Sequence, residues 1–179
     1  MSGQPTIGSR QVYRGRVVGL RVDEVRLPSG RIVTREIVEH PGAAAIVALT
    51  DDGHVVMVRQ YRKATESVLL EIPAGTLEPG ESPLTCARRE LAEEAGLRAA
   101  SMTPLVTFCP SPGILTEAIT IFVARDLSPQ AGTLDDGEEG LRAERVPLAQ
   151  VPALIEAGEI RDSKSLVGLL LVTQRHASD

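Results

Sequence analysis

The sequence predicts an α/β fold in which a mixed β-sheet packs between helices, preceded by a small antiparallel β domain. Strand-like runs fill the start of the 179-residue chain, and strands and helices then mix without the regular alternation of a doubly wound parallel sheet. An apolar fraction of 42% is enough for a sizeable core. A break at His40-Pro41-Gly42 predicts two domains, residues 1–40 and 41–179.

The first domain is predicted to be a β-hairpin. Residues 1–10 are polar and are expected to be mobile. Residues 11–27 and 31–39 have the composition of strands, and Pro28-Ser29-Gly30 between them is a turn sequence. These two runs are therefore expected to pair in one small antiparallel sheet.

The second domain begins with a second hairpin, because Asp51-Asp52-Gly53 joins two apolar runs. Four further strands are predicted, at residues 69–75, 101–109, 117–127 and 141–148. Residues 131–140 form an acidic loop that contains glycine. Two closing helices are predicted from a hydrophobic period near 3.6, at residues 148–160 and 163–176.

A helix from about residue 83 to residue 95 has clear signals at both ends. Ser82 is a favoured N-cap, Pro83 suits the first helical position, and Gly96 is a favoured C-terminal stop. A buried stripe at helical spacing is predicted, formed by Leu84, Ala87, Leu91 and Ala95.

Three carboxylates crowd one side of this helix. Glu90 lies three and four residues before Glu93 and Glu94, where like charges destabilise an isolated helix by about 0.2–0.5 kcal/mol. Arg89 can neutralise one of the charges. Two explanations compete: a solvated acidic face, or a site for a divalent cation such as Mg²⁺, which prefers carboxylate oxygens and also takes substrate phosphates.

Composition excludes several classes of function. A net charge of −5 without a basic run argues against binding to a nucleic-acid backbone. No apolar run reaches the length of a membrane span, and the N-terminus lacks the pattern of a signal peptide. Cys86 and Cys109 match no metal motif and are expected to be small buried hydrophobes in a reducing, cytoplasmic location.

The spacing around the glutamates resembles the Nudix box. Gly75 is followed after five residues by Glu81, after seven more by Arg89-Glu90-Leu91, and then by Glu93-Glu94 and Gly96-Leu97. The resemblance implies the Nudix α/β/α sandwich and a loop–helix–loop that holds Mg²⁺ or Mn²⁺. It also implies an enzyme that cleaves a nucleoside diphosphate linked to another group.

The same resemblance implies roles for individual residues of the box. The implied metal ligands are Glu90, Glu93, Glu94 and the backbone carbonyl of Ala74, with Glu90 and Glu94 counted as catalytic. Glu81 and Arg89 are implied to form the ion pair that fixes the loop on the helix. Metal ions at such a site neutralise phosphate oxygens and lower the pKa of a bound water.

Features outside the box resemble the ADP-ribose pyrophosphatases of this family. Pro112 lies fifteen residues after Leu97, a typical distance in that group, and Pro112 and Gly113 belong to a similar CPSPGILTE stretch. The resemblance implies that Pro112 and Gly113 bind substrate. Arg62 matches a position that contacts substrate phosphate, although a surface charge closing a strand is the simpler alternative. Arg35 and Glu36 match the position that binds the adenosine end.

The acidic loop is where this group carries its catalytic glutamate. Glu139 is the first candidate for the base and Glu138 the second, against the alternative of a solvated charge run. The implied reaction converts ADP-ribose and water into AMP and ribose 5-phosphate. A homodimer with exchanged N-terminal strands is expected. No nucleic-acid or membrane partner is expected.

Two other functions remain open from the sequence. One is a Nudix pyrophosphatase that acts on a nucleotide sugar, FAD, a dinucleoside polyphosphate or an oxidised nucleotide. The other is a Nudix-fold ligand sensor without catalysis, which is disfavoured because every glutamate of the box is present.

Overall fold

The computed structural model describes residues 3–131 and 140–176, except for the side chain of His176. The strands are β1 (Thr6–Arg14), β2 (Gly19–Arg26), β3 (Ile32–Glu39), β4 (Ala43–Leu49), β5 (His54–Arg62), β6 (Ser67–Glu71), β7 (Ala74–Thr76), β8 (Leu97–Phe108), β9 (Ile119–Pro129) and β10 (Arg142–Pro147). The helices are α1 (Pro83–Ala95), α2 (Val151–Glu156) and α3 (Ser163–His176), with a 3₁₀ turn at Leu148–Gln150. Within these ranges no helix combines the length and apolar character that crossing a membrane requires.

The described residues divide into two compact units. The smaller unit contains residues 3–42 together with 109–118, and the larger contains the remainder. The smaller unit is not one continuous stretch, since residues 109–118 belong to it as well. The division into domains at residue 40 stays a prediction.

The smaller unit is a three-stranded antiparallel sheet with β2 at its centre. Residues 109–118 join it at β3, where Val38 N donates to Ile114 O at 2.7 Å and Thr116 N donates to Val38 O at 3.0 Å. Among the apolar side chains described in this unit, Val25 alone is buried. Seven large apolar side chains are exposed: Ile7, Val12, Tyr13, Val17, Val18, Ile32 and Ile114.

The larger unit is built on a seven-stranded sheet in the order β10-β5-β4-β9-β8, with β6 paired to β5 and β7 paired to β4. β4 and β9 are parallel and the other pairs are antiparallel, so the predicted mixed sheet is confirmed. β4 is buried along its whole length. One of its faces packs in a cluster with α2 and α3, and the other packs against α1, which confirms the predicted sandwich.

Helix α1 begins and ends where its sequence predicts. The Ser82 hydroxyl accepts a hydrogen bond from Thr85 N at 3.2 Å, and Pro83 follows as the first helical residue. Gly96 closes the helix with φ of 64°, a left-handed conformation that glycine adopts without a steric penalty, and its N–H donates to Ala92 O.

The structure corrects the prediction for the N-terminal residues and two predicted strands. Residues 6–10, which were expected to be irregular and mobile, pair with β2 as part of β1. Residues 11–27 are not one strand, because Gly15 N donates to Val18 O and closes a turn between β1 and β2. Residues 69–75 are interrupted at Pro73, which has no N–H for the ladder and only accepts, from Ile46 N at 2.9 Å.

Three further predictions are wrong. The helix predicted at residues 148–160 is a 3₁₀ turn followed by α2, which stops before Gly158, a residue with φ of 75°. Leu84 is exposed rather than part of the buried stripe, which instead runs along Cys86, Ala87, Glu90, Leu91, Ala92 and Glu94. Cys109 is exposed, whereas Cys86 is buried as predicted.

Candidate active site

Two glutamates of α1 are buried against the backbone that precedes the helix. Glu90 and Glu94 are 6% and 5% exposed and face β7, the strand of Ala74 and Gly75. Glu94 Oε2 accepts a hydrogen bond from Ala74 N at 2.8 Å. A Cβ at Gly75 would overlap the Glu90 carboxylate, so only glycine lets the chain pass this close. The loop and the helix therefore share one polar interface.

Arg89 ties that interface together. Its Nε and Nη2 donate to the two carboxylate oxygens of Glu81, each at 3.1 Å. Its Nη1 donates to Glu90 Oε1 at 2.7 Å and to Glu93 Oε2 at 3.0 Å. The hydrogen bond to Glu81, with the neighbouring negative charges, raises the pKa of Arg89, and the same hydrogen bond lowers the pKa of Glu81. The guanidinium thus fixes the loop to the helix, in the pairing that the box resemblance implies.

The donor atoms suit a hard divalent cation, although they are not arranged around one. In the part of the chain that the structure describes, no three acidic, imidazole or thiol groups converge as metal ligands do. Arg89 Nη1 bridges Glu90 and Glu93 instead. Burying carboxylates requires compensating positive charge, and carboxylate and carbonyl oxygens are the ligands that Mg²⁺ prefers. The residues present therefore fit the predicted metal, and their roles as ligands stay a prediction.

A second buried ionic cluster lies on strands β5 and β6 and at the start of α3. Glu71 is 2% exposed and accepts from Arg62 Nε at 3.2 Å, from Arg62 Nη2 at 2.5 Å and from Lys164 Nζ at 2.7 Å. Lys164 also donates to Asp162 Oδ2 at 2.9 Å. Burial alone would raise the pKa of Glu71, but the hydrogen bonds and charges of Arg62 and Lys164 lower it.

Arg62 is influenced by charges of both this cluster and the box. Burial disfavours its charge, yet the hydrogen bond to Glu71 and the negative charges of Glu71, Glu94 and Asp162 raise the pKa of Arg62. The Arg62 side chain is 37% exposed while its partner Glu71 is enclosed. The structure therefore leaves the Arg62 side chain partly open on the same unit as Glu90 and Glu94.

Sequence reasoning missed Glu71, Asp162 and Lys164. A signal was present, because Glu71 is a single charge inside the apolar run VLLEIP, and a buried carboxylate needs a partner. The identity of that partner was not accessible, since Lys164 lies 93 residues further along the chain.

The other predicted site residues are spread more widely. Arg35 and Glu36 are exposed on β3 of the smaller unit, where Arg35 donates to Thr34 O. Pro112 and Gly113 are exposed in the turn of residues 109–118 in the same unit. Glu138 and Glu139 lie outside the described residues, so their role as a base stays a prediction.

Cys86 lies on α1 among the candidate metal ligands, and its thiol is buried. Its Sγ lies 3.5 Å from Gly75 O and is enclosed between the loop and α1. Burial, with the charges of Glu90 and Glu81, raises the pKa of the Cys86 thiol to about 12. The thiolate form is therefore negligible near neutral pH.

Comparisons with known proteins agree with this geometry. A family model described as NUDIX domain matches residues 39–167. A second, described as nucleoside diphosphate sugar hydrolase N-terminal domain, matches residues 5–38. Together these two matches span most of both structural units.

Individual relatives are similar over nearly the whole chain. An ADP-ribose pyrophosphatase from Bacillus subtilis is 39% identical, over 97% of this chain and 95% of that protein. A methanol dehydrogenase activator from Bacillus methanolicus is 43% identical, over 93% of this chain and 90% of that protein. A crystal structure of an ADP compounds hydrolase superimposes with a TM-score of 0.88 at 28% identity, covering 99% of this chain and 96% of the other.

Proposed function

Because this chain belongs to the Nudix family, we propose that it hydrolyses the pyrophosphate bond of ADP-ribose to give AMP and ribose 5-phosphate. The observation that carries the proposal is the burial of Glu90 and Glu94 against the backbone of Ala74 and Gly75. The choice of ADP-ribose is supported by the likeness to the Bacillus subtilis pyrophosphatase along almost the entire chain.

The box would hold the divalent cation. Glu90, Glu93, Glu94 and the Ala74 carbonyl are the proposed ligands, and Mg²⁺ or Mn²⁺ is the proposed ion. When bound, such an ion neutralises phosphate oxygens and lowers the pKa of a water molecule. Arg89 fixes the loop to α1, and this ordering keeps the ligands in place before substrate arrives.

The remaining roles belong to residues outside the box. Arg62, whose side chain is partly exposed, binds a phosphate of the substrate. Glu139, or Glu138, accepts the proton of the attacking water. Arg35 and Glu36 hold the adenosine end, and Pro112 and Gly113 also bind substrate.

A substrate panel with purified protein and Mg²⁺ tests the reaction. We expect a higher kcat/KM for ADP-ribose than for ATP, FAD, a dinucleoside polyphosphate or an oxidised nucleotide, with AMP and ribose 5-phosphate as products. Hydrolysis of ADP-ribose no faster than that of ATP or GDP-mannose would overturn the assignment.

The variant Glu94→Gln tests the role of the box. It keeps the size of the side chain but removes a charge that a divalent cation requires, so we expect activity to fall by at least about 100-fold. Glu78→Gln is the matched control, since Glu78 is an exposed glutamate of the same loop and should leave activity unchanged. Full activity of Glu94→Gln would exclude Glu94 as a ligand.

A second candidate substrate is a nucleoside diphosphate sugar. It is favoured by the match of residues 5–38 to an N-terminal domain described for hydrolases of such compounds. GDP-mannose and ADP-glucose in the same panel distinguish the two, because the diphosphate is common to both substrates while the group beyond it differs.

The same proposal includes a homodimer in which the N-terminal strands are exchanged. It is supported by the seven exposed apolar side chains of the smaller unit, which has one buried apolar side chain, Val25, among its described residues. Light scattering should give a mass twice 19.1 kDa. Mixing Arg35→Ala with Glu94→Gln protein should restore activity if strands from one subunit complete the site of the other, and a monomer at micromolar concentration would contradict the dimer.

A cytoplasmic location is also proposed. Both cysteines are free, one buried and one exposed, as is usual for proteins kept in a reducing compartment. Fractionation of cells that express the tagged protein tests this, and recovery outside the cytoplasm would contradict it.

A further inference from the structure

We propose that Lys164 is a positioning residue for substrate phosphate. Lys164 neutralises part of the negative charge of the buried Glu71. The N–H groups of Arg62 that do not face Glu71 therefore stay available to the pyrophosphate. The proposal rests on the role assigned to Arg62 in the proposed function. It adds the first turn of α3 to the residues that determine substrate affinity.

The geometry of Glu71 supports this role. Its carboxylate is enclosed and takes donors from two different cations, Arg62 and Lys164. Glu71 Oε2 accepts from Lys164 Nζ at 2.7 Å and from both Arg62 Nε and Arg62 Nη2. The two cations therefore share one oxygen atom. Removing one of them leaves the other to neutralise the Glu71 carboxylate alone.

The two cations differ in their exposure. The Lys164 side chain is 13% exposed and the Arg62 side chain 37%. A guanidinium has five N–H groups. In Arg62, the N–H of Nε and one N–H of Nη2 donate to Glu71. Within the described ranges, no hydrogen bond engages Nη1 of Arg62. Lysine thus acts as the inner counter-charge, while arginine keeps a second edge for a ligand.

The start of α3 holds Lys164 in this position. Asp162 Oδ2 accepts from Lys164 Nζ at 2.9 Å and from Ser165 N at 3.1 Å, the latter as the cap of the helix. Ser165 is fully buried, and its hydroxyl accepts from Ile72 N at 2.9 Å, next to Glu71. The Lys164 side chain is therefore held beside the Glu71 carboxylate that it neutralises and is largely shielded from solvent.

Removing the lysine charge has a defined consequence. With Lys164 the four side chains Arg62, Lys164, Glu71 and Asp162 carry no net charge, and without it they carry one negative charge. That charge lies beside the guanidinium that must attract a pyrophosphate, so it opposes binding of an anionic substrate. The effect falls on substrate affinity rather than on the chemical step.

The experiment measures KM and kcat of Lys164→Met at saturating Mg²⁺, with ADP-ribose or with the best substrate of the panel if that is another compound. We expect KM to rise about tenfold, which is within the range of couplings between residues in contact. We expect kcat to stay within about twofold. Lys63→Met is the matched control, because Lys63 is next to Arg62 in sequence but pairs with exposed Glu66, and its KM should not change.

A double-mutant cycle separates positioning from a structural role. Arg62→Gln should raise KM, and adding Lys164→Met to it should raise KM little further, because the lysine acts through the arginine. Thermal melting and Mg²⁺ titration monitor the fold and the metal site. If Lys164→Met does not fold, Lys164→Gln replaces it, since glutamine can still donate to Glu71 while lacking the charge.

Three results would overturn the proposal. The first is a drop in kcat and melting temperature of Lys164→Met without a rise in KM. The second is a full additional KM increase on top of Arg62→Gln. The third is an unchanged KM for Arg62→Gln, which would also remove Arg62 from the substrate site. The first two results leave the proposed role of Arg62 in place, and none of the three changes the products of the wild-type reaction, so failure of this proposal remains distinct from failure of the proposed reaction.

Discussion

Gly75 leaves no room for a side chain between the loop and the Glu90 carboxylate. In Gly75→Ala the new methyl group must push that carboxylate away from its position beside the backbone. We expect metal affinity and activity to fall by about 10- to 100-fold, as they do when the support of a metal ligand is lost. Isothermal titration with Mn²⁺ and steady-state kinetics measure this.

Gly80→Ala provides the contrast for that variant. Gly80 has φ of 80° with open space around its Cβ position, so alanine there is strained but displaces nothing. It should lower the melting temperature while Mn²⁺ affinity is retained. Equal losses of Mn²⁺ affinity in both variants would contradict a specific clash at Gly75.

Glu71 predicts a pH dependence of stability. Its pKa in the folded protein is lowered by Arg62 and Lys164, whereas in the unfolded chain it is about 4.3. Between the two values the unfolded state binds more protons, so the stabilisation is present above about pH 4.3 and is lost as pH falls through the folded pKa.

The variant Glu71→Gln isolates this contribution. It should lose about 3–5 kcal/mol of stability near neutral pH, because two cations are left beside an uncharged amide. Its unfolding free energy should also vary less steeply in acid. Urea denaturation from about pH 7 to about pH 3 measures both, and parallel pH profiles for the two proteins would contradict the ion-pair account.

At the residue scale, the sequence predicted what depends on fixed spacing. Arg89 reaches Glu93 because residues four apart meet on a helix, and the box pattern placed Glu81 within its reach. The cluster around Glu71 could not be predicted in the same way, because no local rule relates a strand residue to a helix more than 90 residues away.

At the scale of elements, α3 packs through a glycine that the sequence did not mark as special. A Cβ at Gly168 would lie 2.9 Å from Val47 Cγ2 and 3.3 Å from Ile72 Cδ1, so the helix lies directly on β4. Gly168→Leu should therefore destabilise the protein by about 1–3 kcal/mol or more through overpacking.

Arg175→Leu is the control for that substitution. Arg175 is exposed on the same helix, and a change there should stay within about 0.5 kcal/mol of wild type. Urea unfolding of both variants tests the difference. If Gly168→Leu were as stable as wild type, the close contact between helix and sheet would be contradicted.

Elements with chemical end signals were predicted more accurately than those without. Both ends of α1 were correct because Ser82 and Gly96 satisfy backbone groups locally. The interruption at Pro73 was missed because an apolar run hides it, although a proline cannot donate within a sheet. The helix predicted at residues 148–160 was too long because its hydrophobic period continues past the turn at Gly158.

At the scale of the whole molecule, a net charge of −5 and the buried carboxylates of Glu90 and Glu94 predict stabilisation by divalent cations. An ion that binds the folded state but not the unfolded state raises the free energy of unfolding by mass action. Above its Kd, this gain grows with the logarithm of the ion concentration. Adding Mg²⁺ or Mn²⁺ should therefore raise the melting temperature, and EDTA should reverse the effect.

Glu94→Gln serves as the control for this measurement. Its melting temperature should respond much less to the cation, because one proposed ligand has lost its charge. Equal responses in wild type and variant would place the stabilising ion elsewhere on the protein.

The mixed sheet was predicted as a class, but its strand order was not. Hydrophobic runs identify strands without indicating which of them are neighbours, and β4 pairs in parallel with β9, which begins about 70 residues after β4 ends. The capture of residues 109–118 by the smaller unit likewise depends on backbone pairing with β3, not on any local pattern.

That late pairing sets an order of events during synthesis. A ribosome adds about 5–20 residues per second, so Ile114 and Thr116 follow Val38 by roughly 4–15 s. Until then the amide and carbonyl of Val38 lack their final partners, and β4 still lacks β9. Each unit needs a later segment of the chain to complete its sheet. The nascent chain therefore carries two open strand edges, one on β3 and one on β4, for several seconds. Open edges of this kind are sites of mispairing, and chaperones that bind emerging chains would protect them.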